Sequence, residues 1–133
     1  MTEKSYLCDK KTIVLTCVCL FKYVPMFVLR NSYFPFKSFA AINLFGVLLV
    51  RKEVILTPSL INHEHIHTCQ MREMLFVFFY LWYVVEWGAR CLMKGNAYYN
   101  ISFEREAYAN HDKHDYILSR IPYSWVKYLR KSS

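Results

Sequence analysis

An α+β fold is what this chain's pattern predicts, with strands gathered towards the N-terminus and helices after them. Three observations carry that prediction. Short apolar, β-branched runs bounded by turn residues occupy the stretch before Thr57. The segment "TPSL" is a helix start, and no helix breaker follows it before Trp87. A second capping signal lies at Asn100 and Ser102. The chain has 133 residues, about the size of one domain. The expected architecture is a small sheet packed on a long helix, with a second helix alongside. Residues 45–130 are expected to form its core, and residues 1–44 to supply strands or a membrane or targeting segment.

In "KKTIVLTCVCLF", two lysines precede the apolar run Thr12 to Phe21, which has the look of a signal-peptide core. Glu3 and Asp9 lie upstream, and the run is far short of the roughly 20 residues a bilayer requires. Its β-branched content suits a buried strand better. Phe21 to Arg30 reads as extended, and "NSYFPF" as a loop built on Asn31, Ser32 and Pro35. Val47 to Val50, closed by Arg51 and Lys52, reads as a buried strand. The stretch Gly46 to Arg51 is expected at an exposed sheet edge.

Thr57 or Ser59 can cap the first helix, with Pro58 tolerated in its first turn. Nothing from Leu60 to Trp87 interrupts it, so one continuous helix is predicted. Its second half, "LFVFFYLWYVV" from Leu75 to Val85, is apolar all round, which favours a central core helix over an interfacial one. Gly88 and Gly95 mark the end. The second helix runs on from Asn100 or Ser102 until Pro122 stops it. The tail "YSWVKYLRKSS" reads as a short surface helix whose basic and aromatic residues also suit a membrane surface.

Composition excludes several classes. Apolar residues make up 55% and aromatics 18%, which rules out a disordered chain. The net charge is +7, yet the basic residues are scattered except at the tail and no nucleic-acid motif occurs, so no nucleic-acid partner is expected. Three isolated glycines build no phosphate-binding loop. The five cysteines are odd in number and contain no C-x-x-C pair, which points to reduced thiols. The expected location is cytoplasmic or peripheral to a membrane.

The most informative segment is "NHEHIH". Within it His63, Glu64 and His67 form H-E-x-x-H. At about 100° per residue, histidines four apart on a helix lie within about 40° of each other, so both imidazoles can reach one zinc ion. Glu64 lies beside them, where a base for water is wanted. His65, about 200° round, is excluded as a ligand. Chance alone yields this motif in roughly one such chain in a hundred. A catalytic zinc ion needs a third protein ligand. Glu104, Glu106, His111, Asp112, His114 and Asp115 are the downstream candidates, whereas Cys69 and Glu73 turn away from the histidine face.

With "FEREAYAN" following on a later helix, "HEHIH" resembles the gluzincin metallopeptidases, whose second motif places a glutamate ligand three residues before a small residue. The stretch Phe45 to Leu129, including "INHEHIHTCQMREML", "FYLWYVVEW" and "ISFEREAYAN", also looks like a group of small bacterial proteins with zincin-like sites. The N-terminal third lies outside the likeness. What the resemblance implies is a minimal zincin-like domain binding one Zn2+ through His63, His67 and Glu104, with Ala107 at the small position. Glu106 is the second choice of ligand, on the opposite side of its helix. Tyr108 stands where family members often have an aspartate supporting a ligand histidine, a departure that affects the outer support of the site. Tyr108 or His111 would donate to a developing oxyanion. The implied activity is hydrolysis of a peptide or protein substrate with Glu64 as general base. The alternative is a non-catalytic zinc-binding or membrane-surface interaction protein on the same scaffold, and a third reading is an intramembrane protease built on Leu75 to Val85.

Overall fold

The computed structural model describes residues 26–33 and 40–130. The run Thr12 to Phe21 and the loop residue Pro35 lie outside them. The architecture is α+β: a three-stranded sheet lies against helices that follow it in the chain.

The strands are β1 (Phe27–Asn31), β2 (Ala41–Leu44) and β3 (Val47–Arg51), ordered β1-β3-β2. β2 and β3 form an antiparallel hairpin with Ala41 opposite Val50 and Leu44 opposite Val47. β1 joins β3 in parallel, Phe27 opposite Val47. The hairpin turn is Phe45-Gly46, both at positive φ, as a two-residue turn between right-twisted strands requires. Gly46 adopts this freely. Phe45 is held there by its ring, 5.0 Å from that of Tyr80, and by its N–H, which donates to the Tyr80 hydroxyl at 2.9 Å. Along β3, Leu48 and Val50 are fully buried, the alternation expected of a strand with one face on a core.

β3 is therefore the central strand, which corrects the expectation that Gly46 to Arg51 forms an edge. A run as apolar as Val47 to Val50 can be satisfied by partners on both sides. Among the described residues, the sheet edges are β1 and β2.

Helix α1 (Pro58–Glu73) starts as the sequence predicts, Thr57 Oγ1 accepting the Leu60 N–H at 3.2 Å. It does not continue to Trp87. Leu75 and Phe76 take positive φ, the Val77 N–H closes on the Leu75 carbonyl at 2.6 Å as a γ-turn, and α2 (Val77–Cys91) departs at 109° to α1. Such a turn is strained for L residues. Phe76 is held by packing against the cluster of Met71, Phe79, Ile101, Phe103 and Trp125 that forms the core of the helical half. The bend decides how α2 is buried. Phe79, Glu86 and Arg90 face inward, while Phe78, Leu81, Val84 and Val85 remain 57–65% exposed. α2 is thus not the central core helix expected from its composition. Among the described residues, no single helix is long and apolar enough to cross a membrane.

Gly88 lies within α2, and the chain turns instead at Gly95, whose φ of 106° needs a glycine. After α3 (Ala97–Asn100) comes α4 (Ser102–Asn110), capped from outside its own sequence. The buried Glu86 carboxylate accepts the Ser102 N–H at 3.0 Å and the Ser102 hydroxyl at 2.6 Å. At the other end the Asn62 side-chain amide donates to the carbonyls of Asn110, His111 and Lys113, 2.8–3.2 Å away. These bonds satisfy carbonyls left over where a helix stops. The second helix therefore ends at Asn110 rather than running to Pro122, and the short α5 (Tyr116–Ser119) and a 3-10 helix (Ser124–Tyr128) follow separately.

Candidate metal centre

Two helices position the centre. α1 presents His63 and His67 one turn apart, and α4, pinned at both ends as described, presents Glu104 from its first turn. The two histidine Nε2 atoms lie 3.1 Å apart. Glu104 Oε2 is 3.4 Å from His63 Nε2, and Oε1 is 3.4 Å from His67 Nε2. Ligands at about 2.0–2.1 Å in tetrahedral array would be spaced about 3.3 Å apart, so the three donors already stand at the separations an ion of that size demands. All three side chains are buried, and Glu104 Oε2 accepts no hydrogen bond. The group can hold a metal ion.

The electrostatics agree. Burial alone would raise the pKa of Glu104, but His67 and His63 hold it well below the usual carboxylate range. Burial would lower that of His67, but Glu104 overrides it and raises it to about 9. For His63 burial wins over Glu104 and the pKa falls. The Glu104 carboxylate thus favours a positive charge on the His67 imidazole. A divalent cation would supply that charge in the proton's place. Glu64 is the second carboxylate, buried beside the ligands, and burial raises its pKa to about 7.

His67 is oriented by a chain of buried polar groups. Its Nδ1 lies 2.8 Å from Gln70 Oε1. The Gln70 amide nitrogen donates to the Phe103 carbonyl and to Glu106 Oε2, so the Gln70 oxygen must be the end that faces the ring. A ligating ring would keep its proton on Nδ1, towards Gln70, and turn its Nε2 lone pair to the centre. Glu106, fully buried, is held in turn by Arg120 Nε at 2.6 Å and the Tyr116 hydroxyl at 2.8 Å, and Arg120 reaches on to Glu73. Glu106 is committed to this network and lies apart from the ligand group, as does Glu73. Glu104 receives the Tyr83 hydroxyl at 3.0 Å.

A cavity of about 230 Å³ borders His67 and Glu104, lined also by Ile42, Leu44, Met71, Phe79 and Tyr80 together with Glu64. A larger cleft of about 530 Å³ is lined by His63, Glu64, Tyr99, Tyr108 and His111. Tyr98 borders both, and burial together with the Glu104 carboxylate raises its phenol so far that it remains a neutral donor. The Tyr108 ring sits 4.6 Å from that of His63, and burial and Glu104 push its hydroxyl up to about 12. The His111 ring lies 6.2 Å from that of His63, and its Nε2 is 3.0 Å from Asp112. β2 is latched to the motif helix by Asn43, whose amide donates to the Glu64 carbonyl at 2.9 Å and to the Thr68 hydroxyl at 2.8 Å.

His63, His67 and Glu104 are thus brought together as the sequence predicts, and Tyr108 and His111 line the larger cleft. His65 is outside the ligand group, as helical geometry requires, and Asp112, His114 and Asp115 lie exposed. Sequence reasoning missed Gln70, Asn43, Asn62, Tyr83 and Tyr98. Gln70 carried a signal, being three residues beyond His67 and so within reach of its ring. The tyrosines carried none, because aromatic residues are dense throughout α2 and α3.

No protein-family model matches the chain, and no curated protein or solved structure is significantly similar to it.

Proposed function

We propose that this chain is a zinc-dependent metallopeptidase. The observation that carries the reading is that, among the described residues, three candidate ligands gather without a fourth, bordered by two cavities and with a carboxylate beside them. Structural zinc sites are closed by four protein ligands, whereas catalytic ones leave a position open. His63, His67 and Glu104 would hold the ion, and the orphaned Glu104 oxygen is aimed for it. Zinc in such a site supplies Lewis acidity towards water and towards a carbonyl oxygen. Glu64 takes the proton from the attacking water and passes it to the leaving amine. Tyr108 and His111, which line the larger cleft, would donate to the oxygen that gains charge as the carbonyl is attacked. Gln70 keeps His67 in the tautomer that ligates.

β2, not β3, is the strand fitted to hold an extended substrate, because it is an edge strand among the described residues and its residues line both cavities. Main-chain hydrogen bonds to such an edge give affinity without demanding a sequence. The test is metal content together with cleavage of a peptide library by the wild type and Glu64→Gln. One zinc per chain in both, with turnover only in the wild type, is the expected result; undiminished cleavage by Glu64→Gln sinks the mechanism.

The second reading keeps the metal and drops the chemistry. It is favoured by the small size of the cavity beside His67 and Glu104 and by the absence, among the described residues, of a separate substrate-holding domain. Stoichiometric zinc with no cleavage of any library member would select it.

A further inference from the structure

The outer face of α2 carries an inference that does not depend on the metal centre. Val77, Phe78, Leu81, Val84, Val85 and Trp87 are each 48–65% exposed on one 15-residue helix, and Leu92 just beyond it is 91% exposed. The two charged residues of α2, Glu86 and Arg90, are both buried and paired to each other at 2.8 Å, so that face carries no charge. A contiguous apolar surface of this kind marks an interaction site.

The surroundings select the partner. Trp82 of α2 packs its ring 5.9 Å from that of Trp125, and Arg90 donates to the Leu129 carbonyl at 2.9 Å, which sets the 3-10 helix beside α2. That segment adds half-exposed Val126 and the exposed cations Lys127 and Arg130, and Lys94 follows α2 at its end. Between Met74 and Phe103 the single acidic residue is the buried Glu86, and none occurs from Tyr116 to Arg130. Among the described residues the face is uncharged, apolar and tryptophan-bearing, with Lys94, Lys127 and Arg130 near it, which complements an anionic lipid surface. A second copy of the chain would bring like charges together at the rim. At about 1.5 Å per residue α2 is about 22 Å long, short of the hydrocarbon thickness of about 30 Å, and its inner face is committed to the core. It fits a helix that lies on the membrane, not one that crosses it.

We propose that α2, with the adjoining 3-10 helix, docks the protein peripherally on anionic membranes. The test is flotation of the full-length protein with vesicles of phosphatidylcholine alone and of phosphatidylcholine mixed with phosphatidylglycerol, with light scattering of the free protein alongside. Binding should require the anionic lipid and weaken about fivefold for each of Lys94, Lys127 and Arg130 changed to Gln. Phe78→Glu combined with Val85→Glu should weaken it by about tenfold or more while leaving helix content and metal content unchanged. Failure of the wild type to float with either vesicle overturns the proposal, as does equal binding to both. A dimer in solution that Phe78→Glu dissociates, without vesicle binding, assigns the face to a second copy instead. Loss of zinc binding in the wild type would end the metallopeptidase reading and leave this one standing.

Discussion

α1 and α2 meet at one bend and obey opposite burial rules. α1 buries Asn62, His63, Glu64, His67, Thr68 and Gln70, while α2, far more apolar, buries only Phe79, Glu86 and Arg90. Polar groups are expensive to bury, and these are tolerated because almost every one has a partner: Asn62 caps α4, Thr68 and the Glu64 carbonyl bind Asn43, and Gln70 joins His67 to Glu106. Among the described residues, Glu104 Oε2, which faces the histidines, is one of two buried side-chain polar atoms without a hydrogen-bond partner, the other being Trp125 Nε1. Inside the fold, then, polarity marks the site. On the outside, unshielded hydrophobicity marks a surface awaiting contact. Hydropathy alone would have assigned the two helices the other way round.

The contrast can be broken first at the centre. Glu64→Gln should lower turnover by about 10²–10⁴-fold with zinc retained, measured by steady-state peptide cleavage and metal analysis. Next comes the buried network: Arg120→Ala strands the fully buried Glu106 carboxylate and should cost about 3–5 kcal/mol in urea denaturation. If the loss is under about 1 kcal/mol, the polar interior is not what holds α1 to α4. Gln70→Ala is subtler. It should weaken zinc about 10–100-fold in competition with a chelator, because His67 loses the partner that fixes its tautomer. Smallest of all should be Val84→Lys on the outer face of α2, within about 0.5 kcal/mol of wild type by the same denaturation assay. A large loss there would mean that the face is covered within the monomer.

The ligand set was legible because helical periodicity converts sequence spacing into direction. His63 and His67 four apart had to share a face, His65 had to leave it, and Glu104 lay on the helix where a third donor was wanted. Glu104 was separated from Glu106 in the sequence only by the likeness to E-x-x-A. The structure supplies the physical reason: Arg120, Tyr116 and Gln70 claim Glu106, and none of those contacts can be read from a residue ten, fourteen or thirty-six positions away.

By itself, then, the sequence determined the local features: the Thr57 cap and start of α1, the buried strand Val47 to Val50, the α+β class and the histidine pair. Only the tertiary structure decided that β3 is central, that α1 breaks at Phe76, that α4 stops at Asn110 and that α2 turns its apolar residues outward. Each of these depends on contacts between distant segments. Local propensity is silent about which strand arrives on the far side of β3, and a γ-turn at Phe76 persists only because the core of Met71, Phe79 and Phe103 repays its strain.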